Sequence, residues 1–294
     1  MISIIICSRD TNLLTSVSQS VQETIGVPYE IISIDNSKGE FSIFQAYNLG
    51  AEKSKFSYLC FMHEDLLFHT PEWGQAVVKH LNDVTIGLIG VVGSVYKSKI
   101  NSGWWGAPGV PLNILRYHYI QGSLLDKKSE YHLINPQKEV VSDVVTLDGM
   151  WLCTRKETWL HNKFDEQRLQ GFHFYDLDFS LQIKQSLRVC VIYDVLIEHM
   201  SYGSINKSWI ESSFVFHEKW ADILPLSTIH IPPKQLQMFE IHMAVDFLKK
   251  LKELNFNKIT YLRFYMKYLN IYSFRDYLYY LKKAVTSSLA FKRN

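Results

Sequence analysis

Long hydrophobic runs are absent: no window of the sequence reaches the roughly 18 apolar residues of a membrane-spanning helix. The chain enters a strand at once with MISIIICS, without a charged leader and cleavage site, so a cytoplasmic protein is expected. Cysteine is scarce. Cys7, Cys60, Cys153 and Cys190 sit singly in apolar segments with no CxxC pair, which points to buried free thiols in a reducing compartment and away from disulfides or a cysteine-held metal cluster. Internal repeats and low-complexity tracts are also lacking, which excludes a solenoid or a disordered polymer. Net charge is nearly missing as well, with 31 Lys and Arg against 29 Asp and Glu, or +2. The signs are unevenly placed, however. From Phe247 onward stand 11 basic and 2 acidic residues, a net of +9, which leaves 20 against 27, or −7, for the residues before it. An acidic body with a basic tail argues against nucleic acid as a partner.

What the sequence does have is a regular alternation of apolar runs and helical spacings. At 47% hydrophobic content, 294 residues can build one large core with an appendage. Ser3–Cys7 reads as a buried strand, and Leu13, Leu14, Val17 and Val21 make Asn12–Thr24 an amphipathic helix. Tyr29–Ile34 follows as a strand, Ser42–Ser54 as a helix and Tyr58–Met62 as a third strand. This order implies right-handed βαβ crossovers and an α/β fold with a mostly parallel central sheet between helices. Thr70 is expected to cap the next helix, with Pro71 at its first position and Glu72 in its first turn. Further strands are expected over Ile86–Val92, Glu139–Leu147, Trp151–Thr154 and Val189–Ile197, with helices over Lys156–His161 and Phe174–Gln185. Trp104 and Trp105 lie among glycines in the loop Lys97–Asn113, which suits either a flap over a flat ligand or a folded-in hydrophobic lid.

Pro225, Pro232 and Pro233 mark a connection, dividing the chain into a domain over 1–224 and a helical, basic extension over 225–294. The extension places Phe239, Met243, Phe247 and Leu251 on one helix face. Farther on it mixes Tyr261, Phe264, Tyr265, Tyr268, Tyr272, Tyr277, Tyr279 and Tyr280 with Lys and Arg. Such a segment suits an anionic membrane surface, and equally a subdomain that covers the sheet or forms a homodimer. A body cut after Leu254 is expected to stay soluble.

Chemistry gathers at Tyr58–Phe68, YLCFMHEDLLF. An apolar run that stops at His63, Glu64 and Asp65 reads as a central strand with polar groups at its carboxyl edge, where open α/β sheets bind ligands. On a continuing strand His63 and Asp65 point one way and Glu64 the other, so an imidazole and a carboxylate could share a divalent cation. The alternative is a polar loop that merely leaves the sheet.

The segments SIIICSRD, IDNS, QAYNLGAEKS, FMHEDL, LDGMWLCTRKETW, FDE, YDLDFSLQ and EHMSYGS, in this order over about Ile2 to Ser204, resemble the GT-A glycosyltransferases of inverting family 2, in particular the branch similar to streptomycin-biosynthesis glycosyltransferase-like proteins. The resemblance implies the GT-A fold and transfer of a sugar from a nucleotide-sugar donor, UDP-sugar first, to a glycan or lipid-linked acceptor in bacterial surface polysaccharide or glycoconjugate synthesis. It implies a donor nucleotide held at Ser8, Asp35, Asn48, Glu64, Asp148 and Gly149, with Asp35 on the base and Asn48 and Gly50 near the diphosphate. Mn2+ or Mg2+ is implied at Asp65 and His199, and Asp176 as the general base. His63 stands where the pattern has its first Asp, and Tyr175 where it has Glu. Gly203 and Ser204 could donate to phosphate. Asp178, two residues after Asp176, points elsewhere on the helix and is explained by the helix N-terminus. A sugar-phosphate nucleotidyltransferase would need a Gly-rich, Arg-containing loop where CSRDTNLL stands, and HExxH zinc chemistry would need His where Leu67 stands. A non-catalytic member that binds nucleotide or glycan is the alternative function.

Overall fold

A computed structural model of the chain describes residues 1–124 and 128–268. The first apolar run forms β1 (Ile2–Ser8), and α1 (Thr11–Thr24) follows under an Asp10 cap that accepts from the amides of Asn12 and Leu13. β2 (Tyr29–Asp35) leads to α2 (Ile43–Lys53), which Ser42 and Gln45 close with a reciprocal capping box. β3 (Tyr58–Met62) and β2 both pair with β1 in parallel, as the alternation requires.

Beyond β4 (Leu66–Phe68), α3 (Trp73–Leu81) starts later than its local signals suggest. Thr70 does not cap it: its hydroxyl accepts from the Leu196 amide at 2.8 Å, and Glu72 precedes the helix in the left-handed region at φ 58° with no side-chain cap. Tertiary packing decides this start, because the fully buried Trp73 ring stacks on Phe68 at 4.4 Å.

The remaining strands are β5 (Ile86–Gly90), β6 (Val92–Ser94), β7 (Tyr96–Lys97), β8 (Leu115–Gln121), β9 (Glu130–Ile134), β10 (Val141–Val144), β11 (Thr146–Leu147) and β12 (Trp151–Arg155). After α4 (Lys156–His161) and α5 (Tyr175–Lys184) come β13 (Arg188–Ile192), β14 (Ile197–His199), α6 (Lys207–Lys219), β15 (Leu226–Ser227), α7 (Pro233–Glu253) and α8 (Lys258–Tyr268). A seven-stranded sheet runs β10-β13-β5-β12-β3-β1-β2, and a second runs β11-β6-β8-β14-β4 with β9 on β8. In the larger sheet β1 with β2, β1 with β3, and β13 with β5 are parallel; β12 with β3, β12 with β5, and β10 with β13 are antiparallel. Five of its seven strands, β13, β5, β3, β1 and β2, thus run the same way, as expected of a mostly parallel sheet, and β12 and β10 enter it in the reverse sense.

Three expected single strands are each two. Ile86–Val92, Glu139–Leu147 and Val189–Ile197 break so that β5, β10 and β13 stay in the larger sheet while β6, β11 and β14 belong to the smaller one. Apolar patterning runs through these bends because both sheets are buried there. Gly93 lets β6 and β11 approach closely: a Cβ at Gly93 would lie 2.5 Å from the Thr146 carbonyl oxygen. The β3–β4 break at His63-Glu64-Asp65 is a fourth crossing of the same kind, so the polar residues fall in the seam between the sheets.

Residues 225–268 do not pack as a separate unit from 1–224. Phe239, Met243, Phe247 and Leu251 are all buried, in one core with Tyr96, Phe174 and Trp209. Glu240 bonds the Tyr96 hydroxyl and accepts from Ser98 at 2.8 Å, Phe264 stacks on Phe247 at 5.1 Å, and the Tyr268 hydroxyl reaches Asn101 at 2.6 Å. The boundary expected at 224/225 thus falls within a continuous core. Tyr272, Tyr277, Tyr279 and Tyr280, with the basic residues around them, lie outside the described residues. Among the described residues no helix is long and apolar enough to cross a membrane, and Cys7, Cys60, Cys153 and Cys190 are free.

Cutting after Leu254 removes α8 and uncovers Phe247, so the expectation of a soluble truncated body reverses. Phe264→Ala alone should cost about 3–5 kcal/mol, read as a fall in the denaturant midpoint. An unchanged midpoint would mean that α8 contributes little to the core.

Candidate active site

Where β3 leaves the larger sheet, the His63 amide still donates to the Met150 carbonyl at 3.0 Å, and the next two side chains then diverge. Glu64 turns to the β1 side, where it accepts from the Ser8 hydroxyl at 2.6 Å and from the Arg9 and Asp10 amides at 3.1 Å. His63 and Asp65 turn the other way and meet His199 at the end of β14. His63 Nδ1 lies 3.4 Å from His199 Nε2, and Asp65 Oδ1 lies 3.5 Å from His199 Nε2 and 4.0 Å from His63 Nδ1. One ligand atom from each of these residues lies within 4.8 Å of the other two. The alternation read from the strand is therefore present, and it brings together His63 as well as the two expected ligands.

The electrostatics of this trio suit a cation. Burial would raise the Asp65 carboxyl, but hydrogen bonding and positive charge at His199 hold it well below the usual carboxylate range. Burial lowers His199, and the Asp65 carboxylate more than offsets this and raises it. Burial and the neighbouring His199 push His63 down to about 4, so its ring is uncharged at neutral pH. A carboxylate and two imidazoles form a set of hard and borderline donors that fits Mn2+ and similar divalent ions.

Asp176 sits in the first turn of α5, nine-tenths buried, and its Oδ2 accepts from the Gly149 amide at 3.0 Å. Burial and the charge of nearby Asp148 push its carboxyl up to about 8. Asp178 points away, as expected, but into the core rather than to solvent. There it takes Lys219 and the Trp220 indole at 2.7 and 2.8 Å, binding α5 to α6. Asp148 accepts from the Trp104 indole at 2.6 Å, so the tryptophan loop reaches the site.

These groups face a cavity of about 400 Å3 lined by His63, His199, Asp148, Gly149, Tyr175 and Asp176, by Gly203 and Ser204, and by the rings of Trp104, Trp105, Tyr119 and Phe172. Among the described residues no Lys or Arg lines it. Sequence reasoning missed Tyr119, Gln121 and Phe172, which have no motif of their own and are placed by β8 and the loop before α5.

Other residues named from the sequence lie elsewhere. Asn48 is buried with its amide saturated: it donates to Phe164 O and Glu166 at 2.9 Å and accepts from the Trp159 indole and Phe164 N at 3.2 and 3.1 Å. It ties α2 to the segment before α5 and has no bond left for a diphosphate. Gly50 answers to packing, since a Cβ there would sit 2.3 Å from Ile5 Cγ2. Asp35 is exposed at the end of β2, where it accepts from the Ser37 amide at 2.9 Å as a turn residue. Ser8 is buried and engaged with Glu64.

The sequence pattern of the Glycosyltransferase like family matches residues 3–219, well over half of the chain. The chain belongs to this glycosyltransferase-like family. Among solved structures, GalNAc-T7 with UDP, GalNAc and Mn2+ is similar to this family member at a TM-score of 0.51 and 13% identity. That likeness covers 87% of this chain and 56% of the GalNAc-T7 chain, and it identifies the fold as GT-A. A197 from STIV is similar at a TM-score of 0.38 and 12% identity over 68% of this chain and 86% of that one. No curated protein matches the sequence. In this glycosyltransferase-like chain the cavity lies at the seam between the two sheets, with His63, Asp148 and His199 at strand ends and Asp176 at the start of α5.

Proposed function

We propose that the chain is an inverting glycosyltransferase that moves a sugar from a nucleotide-sugar donor to a hydroxyl of a glycan acceptor. The observation that carries this reading is that His63 and His199 of the cation-type trio and the buried carboxyl of Asp176 line one cavity. Asp65 and His199 would hold the divalent ion, which when bound offsets the charge of the departing diphosphate.

Asp176 takes the proton of the acceptor hydroxyl. That oxygen forms its bond to the anomeric carbon from the face opposite the phosphate, and the bond to the diphosphate oxygen breaks with its electron pair leaving on the nucleoside diphosphate. Gly149 holds Asp176 in place through its amide. Trp104, Trp105, Tyr119 and Phe172 present flat faces to sugar rings and exclude water. UDP and Mn2+, the partners named with the GalNAc-T7 structure, are the first to try. Attachment to an anionic membrane surface would fall to the basic stretch beyond Tyr268, outside the described residues.

An imidazole beside a carboxylate favours Mn2+ over Mg2+, which prefers oxygen donors and its own waters. Calorimetry with UDP and GDP should show binding that Mn2+ strengthens more than Mg2+ does. Binding that is indifferent to both ions would oppose the cation reading.

A further inference from the structure

The two positions at which this chain departs from the pattern it resembles, His63 and Tyr175, touch each other. His63 Nε2 lies 2.7 Å from the Tyr175 hydroxyl, and that hydroxyl lies 2.9 Å from the Gly149 carbonyl oxygen. The hydroxyl donates its single proton to this carbonyl, which can only accept. The hydroxyl then accepts at its other contact, which places the ring hydrogen of His63 on Nε2. A ring that keeps its hydrogen on Nε2 has Nδ1 to offer as a donor atom, and Nδ1 is the atom facing His199 Nε2 and Asp65 Oδ1.

The hydroxyl has little freedom to be elsewhere. Tyr175 is 3% exposed, its ring packs edge-on against Tyr47 at 5.5 Å and Phe44 at 6.2 Å, and a Cβ on residue 149 would lie 2.1 Å from its oxygen. Glycine at 149 is thus what lets the hydroxyl reach both partners. The amide of the same glycine holds Asp176, so one residue anchors both the base and the hydroxyl that orients His63.

We propose that Tyr175 is a positioning residue that fixes the His63 ring, making Nδ1 a third protein ligand to the cation beside Asp65 and His199. The inference rests on the proposed cation site and deepens it. A ligating histidine whose second nitrogen lacks its partner loses orientation as well as donor strength.

Mn2+ affinity in the presence of UDP, followed by electron paramagnetic resonance on the full chain, tests the idea. Tyr175→Phe keeps the ring and its packing and should weaken Mn2+ by about 10- to 100-fold, with metal-independent UDP binding unchanged. His63→Ala should lose at least as much, and the double variant little more than His63→Ala, because the hydroxyl acts only through that ring. Nitrogen-15 shifts of the metal-free parent should place the His63 proton on Nε2, a readout that stands even if Tyr175→Phe folds poorly. Parent-like Mn2+ affinity in Tyr175→Phe or His63→Ala, alongside its loss in Asp65→Asn, would overturn this inference alone. A proton on Nδ1 would likewise overturn it. A parent that binds no Mn2+ would overturn the cation site and this inference together.

Discussion

Replacing Asp176 with Asn is expected to slow sugar transfer by about 10²- to 10⁴-fold, the range for losing a positioned general base, while donor affinity and fold persist. Asparagine has the same shape and can still accept from the Gly149 amide, so the loss would report the proton-accepting carboxylate. The pH dependence gives a second reading. Because burial and Asp148 push the Asp176 carboxyl up to about 8, kcat/KM of the parent should climb about tenfold per pH unit below that value and level off above it. That limb should vanish in the Asn variant. The linkage sign is equally specific: a carboxyl raised in the folded state supports folding while protonated and loses that support as pH rises from the ordinary carboxylate range through about 8. Asp176→Asn should therefore be more stable than the parent above pH 8, as measured by thermal unfolding across pH. Transfer that survives within a few-fold would move the base to Asp148, the other carboxylate on the cavity wall among the described residues.

Asp65→Asn should abolish most of the Mn2+ enhancement of nucleoside diphosphate binding. Asp65 supplies the only carboxylate of the trio, its side chain is 10% exposed, and its contact with His199 keeps it ionised. Asparagine removes the charge and leaves the volume, so the expected loss is at least about 10²-fold in metal-dependent affinity, the upper range for disturbing a ligand shell. Calorimetry with UDP, with and without Mn2+, measures it. Equal enhancement in variant and parent would remove Asp65 from the site. His199→Ala should weaken donor binding in the same assay rather than selectively slow the chemical step.

Much of the fold could be read from the sequence, because β1 and β3 are continuous apolar runs buried on both faces while α1 and α2 bury one face at helical spacing. The second sheet could not. Its strands continue the apolar runs of β5, β10 and β13 through bends that both sheets bury, and hydropathy does not register a bend. Local capping rules failed at Thr70 because the burial of Trp73 outweighs a cap worth about 1 kcal/mol. In the site, strand alternation was enough to set His63 and Asp65 against Glu64, and helical spacing enough to separate Asp176 from Asp178. The engagement of Asn48 was not legible, because nothing local shows that its amide is bonded to residues more than a hundred positions away. Tyr175 stood in plain view as a departure from the pattern, yet its role depends on two contacts, to His63 and Gly149, that exist only in three dimensions.

The most direct test of the account is turnover of a panel of nucleotide sugars with Mn2+, following nucleoside diphosphate release and, by proton NMR, the anomeric configuration of the first sugar product. The account predicts release that requires Mn2+, a product of inverted configuration, and both lost in Asp176→Asn. Donor binding without any release across the panel, or a product of retained configuration, would contradict it.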